Sequence, residues 1–273
     1  MKIIGVYNIK GGVGKTATAV NLGYISAKAG LRTLIWDLDP QGASTYYFRI
    51  KAKVKGAKKL LRGDRDLDDA IKATDYDRLD LLPADFSFRN MDLLLEDMKS
   101  PMMRLLALLK PLSEDYDRIF LDCPPSISLV SENVFRASSV LVVPTIPTTL
   151  SLRTLDQIKD FLAGHKMGKT PVWPVLSMAD RRKRMHKEVL ESPPKDSFET
   201  IIPYSSSVEM MGEQRKPVLE YSRSCPAAKA YLELWMEMEQ RLQNKGGAKV
   251  PVSVEIGPDL QRLMPRTENK LDY

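Results

Sequence analysis

Short runs that are apolar at almost every position alternate along this chain with longer stretches whose apolar residues recur three and four positions apart. Lys2–Tyr7 (KIIGVY), Arg32–Asp37 (RTLIWD), Leu79–Ala84 (LDLLPA), Arg118–Asp122 (RIFLD), Val140–Thr145 (VLVVPT) and Pro171–Leu176 (PVWPVL) are of the first kind. They are too short for helices and apolar on both faces, as strands covered on both sides must be. After Lys15, residues Ala19, Leu22, Ile25, Ser26 and Ala29 keep helical spacing until Gly30 supplies a stop. Residues 86–112 carry two helical patterns interrupted at Ser100-Pro101, where proline suits a first turn. Ser151–Phe161 and residues 227–243 read as further helices, the last with Ala230, Leu234, Met238 and Leu242 on one face and acidic neighbours. Asp64–Ile71 has the acidic first turn of a helix start. Strands alternating with helices predict an α/β fold: a mostly parallel, twisted sheet flanked by helices, with ligands at the carboxyl ends of its strands. Residues 1–243 read as one domain. Residues 244–273, with Pro251, Gly257, Pro258 and Pro265 and no sustained period, read as an extended or mobile tail.

Composition narrows the class without choosing a function. A chain of 273 residues, 43% hydrophobic and 28% charged, can bury a full core. The formal net charge of +6 and pI of about 9.1 permit contact with nucleic acid or an anionic membrane. Cys123 and Cys225 are the only cysteines, far apart, which argues against a disulfide framework or a cysteine-rich metal site. The first residues run straight into a strand without a basic leader and cleavable apolar core, and no apolar run approaches the ~18 residues of a membrane span. A cytosolic protein is expected.

The chemistry begins between the first strand and the first helix. In Asn8–Thr18, Gly11, Gly12 and Gly14 let successive amide N–H groups point inward, and the helix starting near Lys15 adds the positive end of its dipole. Such a loop cradles phosphate, with Lys15 reaching the β and γ phosphates and the Thr16 hydroxyl ligating Mg²⁺. The usual pattern, G-x-x-x-x-G-K-[ST], wants glycine where this chain has Ile9; it carries K-G-G-V-G-K-T instead, with a second lysine, Lys10, at the start of the loop. Two further strands deliver carboxylates. Asp37 and Asp39 of D-L-D-P-Q-G alternate along an extended segment and so share a side, although either could also cap the helix beginning near Gly42. Asp122 ends an apolar strand, the Walker B arrangement, where it can accept hydrogen bonds from metal-bound water. Cys123 beside it reads as a small buried hydrophobe.

Lys10–Thr16 resembles the deviant Walker A box of the ParA/MinD family of dimeric ATPases, and D-L-D-P-Q-G, D-C-P-P-S, V-P-T and S-M-A-D-R resemble the family's later motifs in order and spacing over about residues 1–243. The resemblance implies ATP and Mg²⁺ held by Gly11, Gly12, Val13, Gly14, Lys15, Thr16 and Ala17, with Met178 and Pro203, the proline after the Ile201-Ile202 strand, on the adenine side. It implies that Thr16, Asp37 and Asp122 serve the metal, that Lys10 acts across a dimer on the partner's nucleotide, and that Asp39 orients the attacking water alongside Lys15. D-C-P-P-S would be a switch segment stiffened by its prolines.

A basic cluster, Arg181, Arg182, Lys183, Arg184 and Lys187, sits where a helix begins, a place unfavourable to cations, so it calls for a compensating partner; phosphodiester backbone would serve, as would mere solvation. Arg215, Lys216 and Arg223 could extend that surface, and the run Lys51, Lys53, Lys55, Lys58 and Lys59 reads as a solvated face. The resemblance is to short ParA-type, Soj-like partition or positioning ATPases without a helix-turn-helix. It implies an ATP-dependent homodimer on non-specific DNA, cytoplasmic and nucleoid-associated, with weak ATP hydrolysis stimulated by a ParB-like or cargo adaptor and no stable membrane insertion. A MinD-like membrane-associated positioning ATPase is the alternative, and would want a basic amphipathic C-terminal helix. A nitrogenase iron-protein-like reductase would need paired cluster cysteines, and a non-enzymatic scaffold would have lost the hydrolytic residues that stand here.

Overall fold

The computed structural model describes residues 1–51, 57–63, 67–165, 167 and 169–244. Within them seven strands form one sheet: β1 (Lys2–Val6), β2 (Thr33–Asp37), β3 (Lys72–Ala73), β4 (Leu79–Leu82), β5 (Arg118–Asp122), β6 (Val140–Thr145) and β7 (Val172–Leu176). Their spatial order is β3-β4-β2-β5-β1-β6-β7, parallel throughout except for the antiparallel β3–β4 pair. The six strands foreseen between Lys2 and Leu176 all form, and the period of two divides their side chains between opposite faces. Ile3, Leu34, Trp36, Ile119, Leu121 and Leu141 enter one core; Ile4, Val6, Ile35, Phe120, Val140 and Val142 enter the other.

Helices cover both faces. They are α1 (Lys15–Lys28), α2 (Ala43–Tyr47), α3 (Ala57–Arg62), α4 (Met91–Glu96), α5 (Arg104–Leu109), α6 (Leu129–Ala137), α7 (Thr149–Gly164), α8 (Arg184–Glu191), α9 (Ser206–Glu209), α10 (Met211–Gln214), α11 (Val218–Tyr221) and α12 (Pro226–Asn244). On the first face Leu95, Leu105, Val134, Phe135 and Ile158 bring in α4 to α7; on the second, Val20, Leu22, Leu234, Trp235 and Met238 join α1 to α12.

Several expectations give way. Leu67 to Ile71 make a single turn, with Ala70 and Ile71 donating to the Leu67 carbonyl, and the chain then enters β3 rather than a helix. The antiparallel edge strand β3 is short and exposed, so no apolar pattern announces it. Residues 86–112 are not two helices but short α-helical and 3₁₀ pieces, with Pro101 opening one of the latter. Ile201-Ile202 is not a strand: one bridge, Ala179 to Pro203, forms there. Residues 198–202 instead line the outer edge of β7, Phe198 N donating to Pro174 O at 2.8 Å and Ile202 N to Leu176 O at 2.9 Å. Lys53, Lys55, Asp64, Arg65 and Asp66 and the tail after Asn244 lie outside the described residues.

Candidate functional site

Strand order explains why the chemistry converges. β2, β5 and β1 are neighbours in register, Asp37 opposite Asp122 and Asp122 opposite Val6, so both carboxylates and the glycine-rich loop after β1 emerge at one sheet edge. The loop is braced at both ends. Asn8 accepts from Lys10 N at 2.9 Å and donates to Pro144 O at 2.8 Å, while the Ser177 hydroxyl, just beyond β7, donates to Val13 O at 2.8 Å. Gly12 and Gly14 have φ of +69° and +92°, a region costly for other residues. A Cβ added at Gly11, Gly12 or Gly14 would meet nothing within 4 Å, so the space above the loop is open.

Lys15, buried at the start of α1, donates from Nζ to Lys10 O at 3.1 Å. Burial lowers its pKa, opposed by Asp122, Cys123 and Asp39. Asp37 Oδ2 accepts from Thr45 N at 2.8 Å and Thr45 Oγ1 at 2.7 Å, and Asp122 Oδ2 from Ser44 Oγ at 2.7 Å. The other oxygen of each, Asp37 Oδ1 and Asp122 Oδ1, is buried without a partner. Burial pushes both carboxyl groups well above the usual range, and for Asp37 the neighbouring Asp122 adds to it. Asp39 differs: it is half-buried and accepts from Gln41 N at 2.9 Å, an Asx turn that leaves it at the cavity wall. Asp37 does tie down the first turn of α2, and still has an oxygen to spare. Cys123 is buried, its thiol pushed well up, chiefly by that burial.

Lys15, Thr16 and Asp39, with the loop glycines, line a cavity of about 340 Å³, while Asp37 and Asp122 are fully buried and not part of its wall. Its wall combines Gly11, Gly12, Gly14, Lys15, Thr16 and Asp39 with the largely apolar Met178, Ile202, Pro203, Tyr204, Val208 and Tyr231. The size and the mixed polar and apolar wall suit a phosphorylated ligand with a planar ring. The donor set also fits Mg²⁺ in its usual setting. Among the described residues no group of three or more His, Cys, Asp or Glu could cage an ion, so Thr16 and the spare oxygens of Asp37 and Asp122 would be the residues to hold a metal, with the ligand's phosphate supplying the rest.

The family model of an AAA domain matches residues 1–168. The sporulation initiation inhibitor protein Soj of Bacillus subtilis is 34% identical over 247 residues, covering 87% of this chain and 98% of Soj. The chromosome partitioning protein ParA of Myxococcus xanthus is 31% identical, covering 88% of each. The crystal structure of cobyrinic acid a,c-diamide synthase from Mycobacterium smegmatis, with bound ATP analog and magnesium, superimposes with a TM-score of 0.75 at 25% identity, covering 90% of this chain and 96% of that one. The chain belongs to the ParA/MinD family of deviant-Walker-A ATPases.

In this ParA/MinD chain the structure also places the residues set aside for nucleic acid. Arg181, Arg182, Lys183, Arg184 and Lys187 are exposed between the end of β7 and the first turn of α8. Two of them already have carboxylates: Arg182 pairs with Asp180 at 2.9 Å, holding Asp180 down to about 2, and Arg184 pairs with Glu188 at 2.9 Å. Arg182 and Arg184 therefore need no outside partner, contrary to the expectation from the sequence. Arg215 is not part of a free surface; its guanidinium stacks 4.4 Å over the Tyr46 ring and donates to Tyr46 O. Lys216 is half-buried, and Arg223 is exposed, donating to Leu219 O. Sequence reading missed Ser44, Thr45, Ser177 and Tyr231. Ser44 and Thr45 had a signal, hydroxyl residues at a helix start behind an aspartate motif; Ser177 and Tyr231 come from distant elements and had none. Among the described residues no helix is long and apolar enough to cross a membrane.

Proposed function

We propose that this protein is a ParA-type partition or positioning ATPase that closes into an ATP-dependent sandwich dimer, binds DNA without sequence preference and releases it on hydrolysis stimulated by an adaptor. The observation that carries the reading is the pair of buried carboxylates, each with an unpartnered oxygen, at the ends of the strands beside the loop whose glycines and Lys15 line the cavity. Residues 11–17 would hold the phosphates, Lys15 exchanging the Lys10 carbonyl for phosphate oxygen. The Met178, Pro203 and Tyr231 end would take the adenine. Mg²⁺ bound at Thr16, Asp37 and Asp122 would neutralise charge on the β and γ phosphates. Asp39 lies at the cavity wall with no fixed role in the core, and would orient the water that attacks the γ phosphorus; ADP and phosphate leave. Lys10, half-buried at the start of the loop, would reach the nucleotide of a second copy. Exposed Arg181, Arg182, Arg184 and Lys187 would contact phosphodiester, since exposed ion pairs such as Arg184–Glu188 hold weakly and exchange readily.

Asp39→Ala is the test. It should retain MgATP and dimerise while losing at least 10²-fold in turnover, the scale of a lost general base. Sedimentation with MgATP reads the dimer and phosphate release the turnover; a variant that stays monomeric, or one that hydrolyses at the wild-type rate, sinks the assignment. A membrane-associated reading finds less support, because Ala230, Leu234, Met238 and Leu242, the apolar face of α12, are packed into the core. ATP-dependent co-sedimentation with anionic liposomes would reinstate it.

A further inference from the structure

The side chain of Lys10 is already engaged. Its Nζ donates to Ser151 Oγ at 3.2 Å, in the first turn of α7. Ser151 is fully buried and receives a second donor, Thr148 Oγ1, at 3.2 Å. Thr148 stands at the N-cap of α7, where a hydroxyl ordinarily accepts from a helix N–H, yet no such side-chain cap forms. The hydroxyl that would serve the helix end is turned toward the serine that serves the lysine. Meanwhile the Lys10 backbone is fixed on both sides, its N–H on Asn8 Oδ1 and its carbonyl under Lys15 Nζ. Only the side chain is left to swing.

The hold is also weak by construction. Among the described residues no carboxylate pairs with Lys10, and the first turn of a helix repels a cation. An ammonium group kept there by one neutral hydroxyl leaves at little cost.

We propose that Ser151 is a positioning residue that parks Lys10 in the nucleotide-free chain and sets how readily Lys10 departs to reach a partner's nucleotide. The proposal rests on the sandwich-dimer reading above, and two arms keep the two separable. The first needs no dimer: acylation of Lys10 by an amine-reactive ester in nucleotide-free protein, read by peptide mass with Lys2 as internal reference. Ser151→Ala should raise Lys10 labelling at least twofold, and Ser151→Thr, which keeps the hydroxyl, should restore the parent value. The second arm measures the monomer–dimer constant with MgATP in the Asp39→Ala background. Adding Ser151→Ala should tighten the dimer by about two- to tenfold, the worth of one hydrogen bond no longer broken, with ADP affinity unchanged. Unchanged labelling overturns the parking of Lys10. Raised labelling with an unchanged dimer constant overturns its effect on assembly. Raised labelling in a chain that never dimerises leaves Lys10 parked but removes the shared-nucleotide reading.

Discussion

Two carboxyl groups buried side by side, each with an oxygen that nothing in the fold satisfies, make Asp37 and Asp122 costly to the protein when it is empty. Their cost is the residue-scale signature of a site kept for a ligand, since a core built for stability alone would not retain them. Asp37→Asn removes a carboxyl whose ionisation burial and Asp122 oppose, and keeps an oxygen for Thr45. The nucleotide-free variant should therefore be more stable than the parent by on the order of 1 kcal/mol, because each tenfold change in proton affinity is worth ~1.4 kcal/mol. For a chain of this size that raises the midpoint of thermal unfolding by about 2–4 °C. The same substitution should abolish the Mg²⁺-dependent part of nucleotide affinity, read by titration with ADP with and without the metal. A lower midpoint in the empty state would mean that the pair stabilises the fold. At this scale Lys10, Lys15, Thr16, Asp37, Asp39 and Asp122 were legible because each follows directly on a strand end or a glycine loop. Ser151 and Tyr231 were not, since only the folded chain brings α7 and α12 to the loop.

Elements were legible in proportion to how many of their faces are buried. β2 and β6 are buried at every position, so their apolar runs stood out; β3 is exposed and did not. The pieces between residues 86 and 112 bury only a few side chains each, and a short element sends no periodic signal. α12 was found, but its acidic residues were read simply as neighbours of an apolar face. Glu239 is in fact buried and receives a two-pronged pair from Arg118 at the start of β5, at 2.8 and 2.5 Å. That pair fastens the last helix to the central strand whose other end carries Asp122. Arg118→Ala would leave Glu239 buried and uncompensated, a loss of about 3–5 kcal/mol. Arg118→Met with Glu239→Leu removes both charges and should recover most of it. Urea unfolding midpoints of the three proteins decide the matter; a single variant as stable as the parent would show that water reaches Glu239 and the fastening is not needed.

At the scale of the whole molecule, the nucleotide end and the basic cluster are linked through the end of β7. Ser177 holds the glycine loop, Met178 and Pro203 wall the cavity, and Ala179 bridges to Pro203 just before Asp180 and Arg181 begin the cationic stretch. The net charge of +6 could be seen in the composition, but its distribution could not, because Asp180 and Glu188 had to be found beside Arg182 and Arg184. If DNA displaces those carboxylates, each neutralised phosphate adds ~0.9 to the steepness with which log affinity falls against log salt. Arg182→Glu with Arg184→Glu should weaken DNA binding by the MgATP-bound protein at least tenfold and flatten that slope by about 2, while ATP affinity stays as it was. Because the new glutamates would also repel Asp180 and Glu188, Arg182→Gln with Arg184→Gln is the cleaner companion, expected to flatten the slope equally with a smaller loss of affinity. An unchanged slope in both variants would move the DNA contact elsewhere on the surface. A slope flattened together with a loss of ATP affinity would mean that the cluster acts through the β7 end on the nucleotide, not on DNA directly.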